Sequence, residues 1–162
     1  MLAVRLHAWC GVDGVQIVRI APPVVPLRAL VLVRVRAAGV TPVDWKIAEG
    51  RGRFIAGLEL PRTPGCDLSG EIVEGGAGVT EFTPSDEVFG EISFARRGVF
   101  AEFSRARADA PARKSKNLSH AEAAALPVAS LTAWQSMYDP GGLERARSAQ
   151  SQCEGQRRGV PA

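Results

Sequence analysis

The side chains with the widest chemical range in this sequence are three cysteines and two histidines: Cys10, Cys66, Cys153, His7 and His120. None of the cysteines has the C-x-x-C or C-x-x-H spacing from which structural zinc sites are built. We therefore expect no metal site, and we interpret the thiols as buried or incidental in a reducing compartment. Neither histidine has a recognisable partner, so we predict no catalytic role for them.

Two segments have the composition for binding phosphate. The glycine cluster Gly75–Gly78 lies between two expected strands and precedes no helix, so it does not fit a dinucleotide-binding turn. Residues 96–116 carry seven basic and two acidic side chains, which would suit an anion or nucleic-acid patch. Their only aromatic residues, Phe100 and Phe103, fall at strand positions. We therefore favour a solvated strand edge and loop.

The elements that must position these residues begin with β-strands. Gly11–Gly14 and Gly75–Gly78 are predicted turns, and a short helix is expected around Trp45–Glu49. Runs of β-branched residues, interrupted by polar residues at near period-2 spacing, predict strands at Leu2–Ala8, Val15–Ile20 and Leu30–Ala37. Two strands bounded by glycines are expected at Leu68–Glu74 and Glu87–Ile92, and Val99–Ala106 is a further candidate strand.

The pattern changes from strands to helices at residue 119. Ser119 as N-cap and Glu122 three residues later form a capping box before an alanine-rich stretch. Pro127 should break or restart this helix. In the following Val128–Tyr138 stretch, apolar residues at helical spacing predict a face buried in the core. These are Val128, Leu131, Trp134 and Met137.

The length, hydrophobic fraction and net charge of the chain indicate one ordinary globular domain. The chain has 162 residues, 46% of them hydrophobic, with a formal net charge of +3. No apolar run approaches the roughly 20 residues of a membrane helix, and we expect a cytoplasmic protein. Residues 1–142 are predicted to form a mainly β domain with a few helices. Residues 143–162 have few large aliphatic residues, so we predict a disordered basic tail.

Four segments in register carry a family resemblance: Ala37–Lys46, Pro64–Gly70, Gly76–Thr80 with Asp86–Gly90, and Ala124–Trp134. In this order and spacing they resemble the GroES-like domain of the medium-chain dehydrogenase/reductase superfamily. The closest branch is the zinc-independent quinone oxidoreductases and enoyl or alkenal reductases. The resemblance implies a GroES-like, partly open β-barrel over residues 1–142.

The resemblance also bears on chemistry. Zinc alcohol dehydrogenases carry a Cys-His pair where this chain has Thr41-Pro42, and a His-Glu pair where it has Cys66-Asp67. Too few ligands remain for zinc. In the zinc-free branch, NADPH transfers a hydride to a quinone or to an activated double bond.

The family's N-x-x-D motif appears here as Thr41-Pro42-Val43-Asp44. The resemblance implies cofactor-binding roles for Thr41, Asp44, Lys46 and Thr132, and we assign no catalytic residue. Each has an alternative: Asp44 as a helix cap, Lys46 as a solvated lysine, and Thr132 bonded to its own helical turn. Thr41 lacks the amide of the family's usual asparagine.

In this family a Rossmann domain follows, and here no apolar strand follows Gly141-Gly142. We therefore expect the Rossmann domain to be absent, as in a truncated or frameshifted chain, and NADPH not to be bound tightly. Two other functions are considered. The chain could pair with itself or another chain through an exposed domain interface, or bind anions and nucleic acid through its basic stretch, a role we do not favour.

Overall fold

The computed structural model describes residues 1–24, 28–51, 57–92 and 98–138. It divides into two compact units, Met1–Val128 and the residues from Ala129 onward. The predicted tail, Cys153, and the first two residues of the basic stretch lie outside the described residues.

Among its described residues, the first unit contains seven strands, a 3-10 turn at Gly11–Gly14 and short helices. The strands are β1 Leu2–Leu6, β2 Val15–Arg19, β3 Leu30–Gly39, β4 Asp67–Gly75, β5 Glu87–Glu91, β6 Phe103–Arg107 and β7 Ala112–Arg113. The helices are α1 Pro42–Ala48, α2 His120–Ala124 and α3 Pro127–Tyr138, and α3 continues into the second unit.

The larger sheet has five antiparallel strands in the order β6-β3-β4-β5-β7, and β1 and β2 form a separate hairpin. The hairpin is tied to the body by the backbone: the Val4 N–H donates to the Phe100 carbonyl at 2.8 Å, and the Leu6 N–H donates to the Arg62 carbonyl at 2.7 Å. The predicted mainly β fold is confirmed, and the described strands form two open sheets rather than a closed barrel.

The core lies on one face of the larger sheet. Alternate residues of a strand point to the same face, so residues such as Val31 and Val33 of β3 enter the core together. The buried cluster comprises Val31, Val33, Leu68, Ile72, Val88, Ile92, Val99 and Ala106. On β4, Gly70 lets the neighbouring strand approach closely: a Cβ there would meet the Arg34 carbonyl oxygen at 2.1 Å. The central strand pair thus depends on both apolar burial and a small residue.

The α2 helix begins as the sequence predicts. Ser119 is its N-cap and Glu122 closes the capping box, with the Glu122 N–H donating to Ser119 Oγ at 3.3 Å. Ala123 and Ala124 are buried where the helix packs on the sheet. The Ala124 carbonyl lies so close to Gly39 that a Cβ at Gly39 would come within 2.4 Å of its oxygen. This contact joins α2 to the end of β3.

Two predictions about the elements are wrong. The last long strand starts at Phe103 rather than Val99, because residues 99–101 make irregular bonds to the Gly65 and Pro64 carbonyls and a bridge to β1. The predicted buried stripe on α3 is largely exposed, with Leu131 44% and Trp134 55% accessible. Helical periodicity shows which residues share a face, but burial requires another element to cover that face.

Candidate functional site

The first turn of α1 holds two of the predicted site residues together. Pro42 occupies the first helical position, where its missing N–H costs nothing, and Thr41 is the N-cap. Asp44 reaches back to this cap: its Oδ2 accepts the Thr41 backbone N–H at 2.7 Å and the Thr41 hydroxyl at 2.9 Å. The helix therefore starts earlier than the alternative interpretation of Asp44 as its cap requires: Thr41 is the N-cap, and Asp44 supports that cap from the third helical position.

The second oxygen of the Asp44 carboxylate faces the core. It accepts a hydrogen bond from the Cys66 thiol, with Sγ and Oδ1 3.9 Å apart, and both side chains are buried. Burial, with Asp44 and Asp67 nearby, raises the pKa of the Cys66 thiol to about 12. The thiol is therefore protonated at neutral pH and serves as a donor, not a nucleophile.

Asp67 is a second buried carboxylate, adjacent to Cys66. Its two oxygens accept the Val128 backbone N–H at 3.1 and 3.2 Å, at the start of α3. Burial raises the pKa of Asp67 to about 6, although the hydrogen bond from Val128 works in the opposite direction. Asp67 is thus a titratable anchor for the start of the helix.

An apolar cleft of about 450 Å³ opens beside Asp44. It lies between α1, β1 and the 3-10 turn, and among the described residues that line it none is basic. The described lining residues are Val4, Cys10, Gly11, Val12, Val15, Val40, Asp44, Trp45, Ala48, Glu49, Pro64 and Phe100. This lining suits a flat, uncharged ring and does not suit a phosphate group.

Trp45 marks the rim of this cleft and is 46% exposed. Two cations lie over its indole ring, with Lys46 Nζ 5.7 Å and the Arg51 guanidinium 5.4 Å from a ring centroid. Cation–π contacts at exposed sites are worth about 0.5–1 kcal/mol each. The exposed Lys46 therefore has a defined neighbour on α1.

Three of the four predicted cofactor-binding residues belong to α1 and its N-cap, namely Thr41, Asp44 and Lys46, and of these Asp44 lines the cleft. Thr132 is exposed on α3 within the second unit, so its role at the cleft stays a prediction. Sequence reasoning missed the cleft walls formed by Cys10 and Trp45. Apolar residues that line a cleft have the same local pattern as residues that fill a core, so no sequence signal separated them.

The conclusion that His120 has no partner is wrong. Its Nδ1 lies 2.8 Å from Ser69 Oγ on β4, and its Nε2 lies 3.1 Å from Glu87 Oε1 on β5. The partners are 51 and 33 residues away along the chain, so local spacing could not reveal them. His120 lies outside the lining of the apolar cleft.

The basic stretch is largely neutralised where the structure describes it. Arg107 pairs with Asp109, Arg113 with Asp86 at 2.7 Å, and Lys114 with Glu87 at 3.1 Å. Paired cations present little net charge to a nucleic-acid phosphate. These ion pairs favour the solvated strand edge over an anion patch.

Residues 1–24, 28–51, 57–92 and 98–138 contain no cluster of three or more Cys, His, Asp or Glu side chains arranged to hold a metal ion. Among the helices in these same ranges, none has the length and apolar character needed to cross a bilayer.

The similarity of this chain to known proteins shows the family to which the fold and the cleft belong. Residues 28–116, more than half of the chain, match the alcohol dehydrogenase GroES-like domain. The chain belongs to this GroES-like family. Within the family it is a quinone-oxidoreductase-like member of the medium-chain dehydrogenase/reductase superfamily, as the following likenesses show.

The chloroplast envelope quinone oxidoreductase homolog of Arabidopsis thaliana is 37% identical over 134 residues, which are 83% of this chain and 40% of that protein. The mitochondrial NAD(P)H oxidoreductase RTN4IP1 of Danio rerio is 35% identical over 80% of this chain and 36% of its own length. The quinone oxidoreductase structure from Coxiella burnetii superposes with a TM-score of 0.80 at 31% identity, covering 87% of this chain and 45% of that one. This GroES-like chain therefore spans less than half the length of these relatives.

Proposed function

We propose that residues 1–138 form the substrate side of an NADPH-dependent oxidoreductase site that reduces quinones or activated carbon–carbon double bonds. The observation that carries this proposal is the apolar cleft beside the Thr41–Asp44 cap. Support comes also from the likeness to proteins named quinone oxidoreductase homolog and NAD(P)H oxidoreductase.

The apolar cleft suits the ring of the substrate that accepts the hydride. A quinone or enone is flat and uncharged, and apolar walls such as Phe100 and Trp45 exclude water from it. NADPH, when bound, would supply the hydride. The hydroxyl proton of Thr41 is directed to Asp44. Asp44 itself is among the described residues that line the cleft, so it joins the cap to the cleft wall.

The described lining of the cleft does not suit the pyrophosphate of NADPH. The pyrophosphate needs cations or a helix N-terminus with free N–H groups, and the described lining offers the carboxylates of Asp44 and Glu49 instead. We therefore propose that tight cofactor binding and turnover need a nucleotide-binding region beyond residues 1–138. Alone, the 162-residue chain would bind NADPH weakly and reduce no quinone.

Calorimetric titration of the 162-residue chain with NADPH tests this division of roles. We expect at best a millimolar dissociation constant, about 4 kcal/mol of binding free energy. Joining residues 1–142 to the nucleotide-binding region of a quinone oxidoreductase should restore turnover with NADPH. A micromolar constant that is lost on Asp44→Ala, or a folded chimera without turnover, would contradict the proposal.

The cleft itself needs a separate test in that chimera. Trp45→Ala removes a rim wall and should raise KM for the quinone about tenfold, because the ring loses one apolar face. Ile17→Ala is the matched control, since Ile17 is exposed on β2 outside the cleft. Equal KM values for the two variants would place the substrate elsewhere.

A second function, pairing with itself or with another chain, is favoured by the exposed apolar residues of α3. Leu131 and Trp134 present a large apolar surface, which in proteins often marks an interaction site. Light scattering at rising concentration and pull-downs test this. A strictly monomeric wild-type chain that captures no partner would leave only the first function.

We also propose that the protein is zinc-independent and cytoplasmic. The residues at the family's zinc positions, Thr41 and Cys66, are engaged with Asp44, which supports the first proposal. Elemental analysis showing about one zinc per chain after dialysis would refute it. Imaging of the tagged protein in cells tests the second.

A further inference from the structure

Three side chains from different elements meet on the side of the sheet covered by α2. Ser69 on β4 is fully buried, His120 opens α2, and Glu87 is on β5. His120 lies between the other two, with Nδ1 2.8 Å from Ser69 Oγ and Nε2 3.1 Å from Glu87 Oε1. Ser69 Oγ also lies 3.0 Å from the Val88 carbonyl oxygen, to which it donates.

Counting hydrogens shows which protonation state completes this set. The serine hydroxyl has one proton, and a carboxylate and a carbonyl only accept. If Ser69 donates to Val88, its oxygen must accept a proton from His120 Nδ1. Glu87 must likewise accept a proton from Nε2. All three bonds therefore exist together only when both ring nitrogens of His120 carry protons.

Loss of one ring proton breaks the set in either tautomer. If Nε2 keeps its proton, Ser69 must turn its hydroxyl to Nδ1 and leave the Val88 carbonyl. If Nδ1 keeps its proton, a bare Nε2 lone pair faces the Glu87 carboxylate. The first tautomer costs one buried hydrogen bond, and the second adds an electrostatic repulsion.

Charged groups around the ring come from each neighbouring strand. Glu87 on β5 also binds Lys114, which follows β7, at 3.1 Å. Glu71 on β4 interacts with the His120 charge and is itself paired with Arg36 of β3 at 2.9 Å. Two acidic and two basic side chains therefore lie around the ring.

A backbone contact connects α2 to the segment that leads into the candidate site. The Ala124 carbonyl, at the other end of α2, packs against Gly39 so closely that no Cβ would fit. Gly39 ends β3 two residues before Thr41. We therefore expect a shift of α2 to move the end of β3, from which the chain enters α1.

We propose that His120 is a proton-sensitive latch: protonated, it holds α2 on the sheet through Ser69 and Glu87, and its deprotonation loosens α2 and alters the entry to α1. This is a conformational device independent of the oxidoreductase chemistry proposed above. It predicts that α2 packs most tightly on the sheet while both ring nitrogens of His120 carry protons.

Nuclear magnetic resonance of the whole ¹⁵N-labelled chain tests the latch in an Asp67→Asn background, where the neighbouring buried carboxylate no longer titrates. The sequence has two histidines, and the exposed His7 is an internal control. Above the titration of His120, its ring should be the Nε2–H tautomer. The Nδ1–H tautomer, or a ring that stays doubly protonated to about pH 9, would overturn the assignment of protons.

Hydrogen exchange measures the loosening. The Ala123 amide, bonded to the Ser119 carbonyl at 3.0 Å, should lose about threefold to tenfold protection between about pH 5 and 8, after correction for intrinsic rates. The core amide of Ile72 should not. In His120→Gln the change at Ala123 should vanish. Its persistence in that variant would show that another group is responsible and would overturn the latch.

The link to the site has its own readout. The Thr41 amide resonance should shift with the same midpoint as the His120 ring, and the shift should be absent in His120→Gln. A Thr41 resonance that stays constant while Ala123 responds would overturn the coupling to α1. None of these measurements uses NADPH or turnover, so their outcome is independent of the proposed activity.

Discussion

Asp44 and Thr41 are joined by two hydrogen bonds that end on one carboxylate oxygen, from the Thr41 backbone N–H at 2.7 Å and from its hydroxyl at 2.9 Å. The other oxygen of Asp44 is turned to the buried Cys66 thiol. Asp44 therefore closes the first turn of α1 and is also one of the described residues that line the apolar cleft.

Replacing Asp44 by alanine should lower the free energy of unfolding by about 1–3 kcal/mol, because it removes the acceptor of a cap and of a buried thiol. Glu122→Ala is the matched control, since Glu122 occupies the same position of the α2 cap but is exposed. We expect a loss of about 1 kcal/mol or less there. Urea denaturation measures both, and equal losses would argue against the buried role of Asp44.

The buried carboxylate Asp67 predicts a pH dependence of stability. Its pKa in the folded state is about 6, above its ordinary 3.8, so the folded state holds this proton more tightly than the unfolded chain. Its contribution to stability is therefore present below about pH 4 and is lost as the pH rises to about 6.

Asp67→Asn should remove this loss and keep an oxygen for the Val128 N–H. At pH 7 the variant should be more stable than the wild type by on the order of 2 kcal/mol, and at about pH 3.5 it should have no such advantage. Thermal unfolding between these pH values measures the difference. A variant less stable than the wild type at pH 7 would show that the charged Asp67 anchors α3 favourably.

The thiols should differ sharply in reactivity. Cys66 is buried and has its pKa raised to about 12, which lowers its thiolate fraction roughly a thousandfold below that of an ordinary cysteine. Cys10 is exposed at the cleft. In a Cys153→Ser background, iodoacetamide should modify Cys10 first and Cys66 only in denaturant, as peptide mass spectrometry would show. Equal labelling in the folded protein would contradict the buried Cys66.

The core of the larger sheet should be sensitive to cavity formation. Leu68→Ala should cost about 2–5 kcal/mol, because Leu68 is fully buried on β4. Ile17 on β2 is 74% exposed, so Ile17→Ala should change stability by about 0.5 kcal/mol or less. Chemical denaturation of the two variants gives the comparison. Similar losses would mean that another surface covers Ile17.

Much of the fold was predictable because its signals are local. Near-alternating β-branched residues and bounding glycines located five of the strands, although the start of β6 was placed too early, and the Ser119–Glu122 capping box located the start of α2. These patterns act within a few residues, through side-chain direction and backbone hydrogen bonds. The Thr41–Asp44 turn belongs to the same class, since its partners are three residues apart.

Side-chain partners that are far apart in the sequence could be identified only from the tertiary structure. Ser69 and His120 are 51 residues apart, and neither has a local pattern that selects the other. The register of β4 and β5 and the docking of α2 bring them together, just as they turn Asp67 toward the Val128 N–H. The helical stripe on α3 shows the same division. Sequence determined which residues share its face, but exposure depends on which surfaces the folded chain places against that face, and no local spacing carries that information.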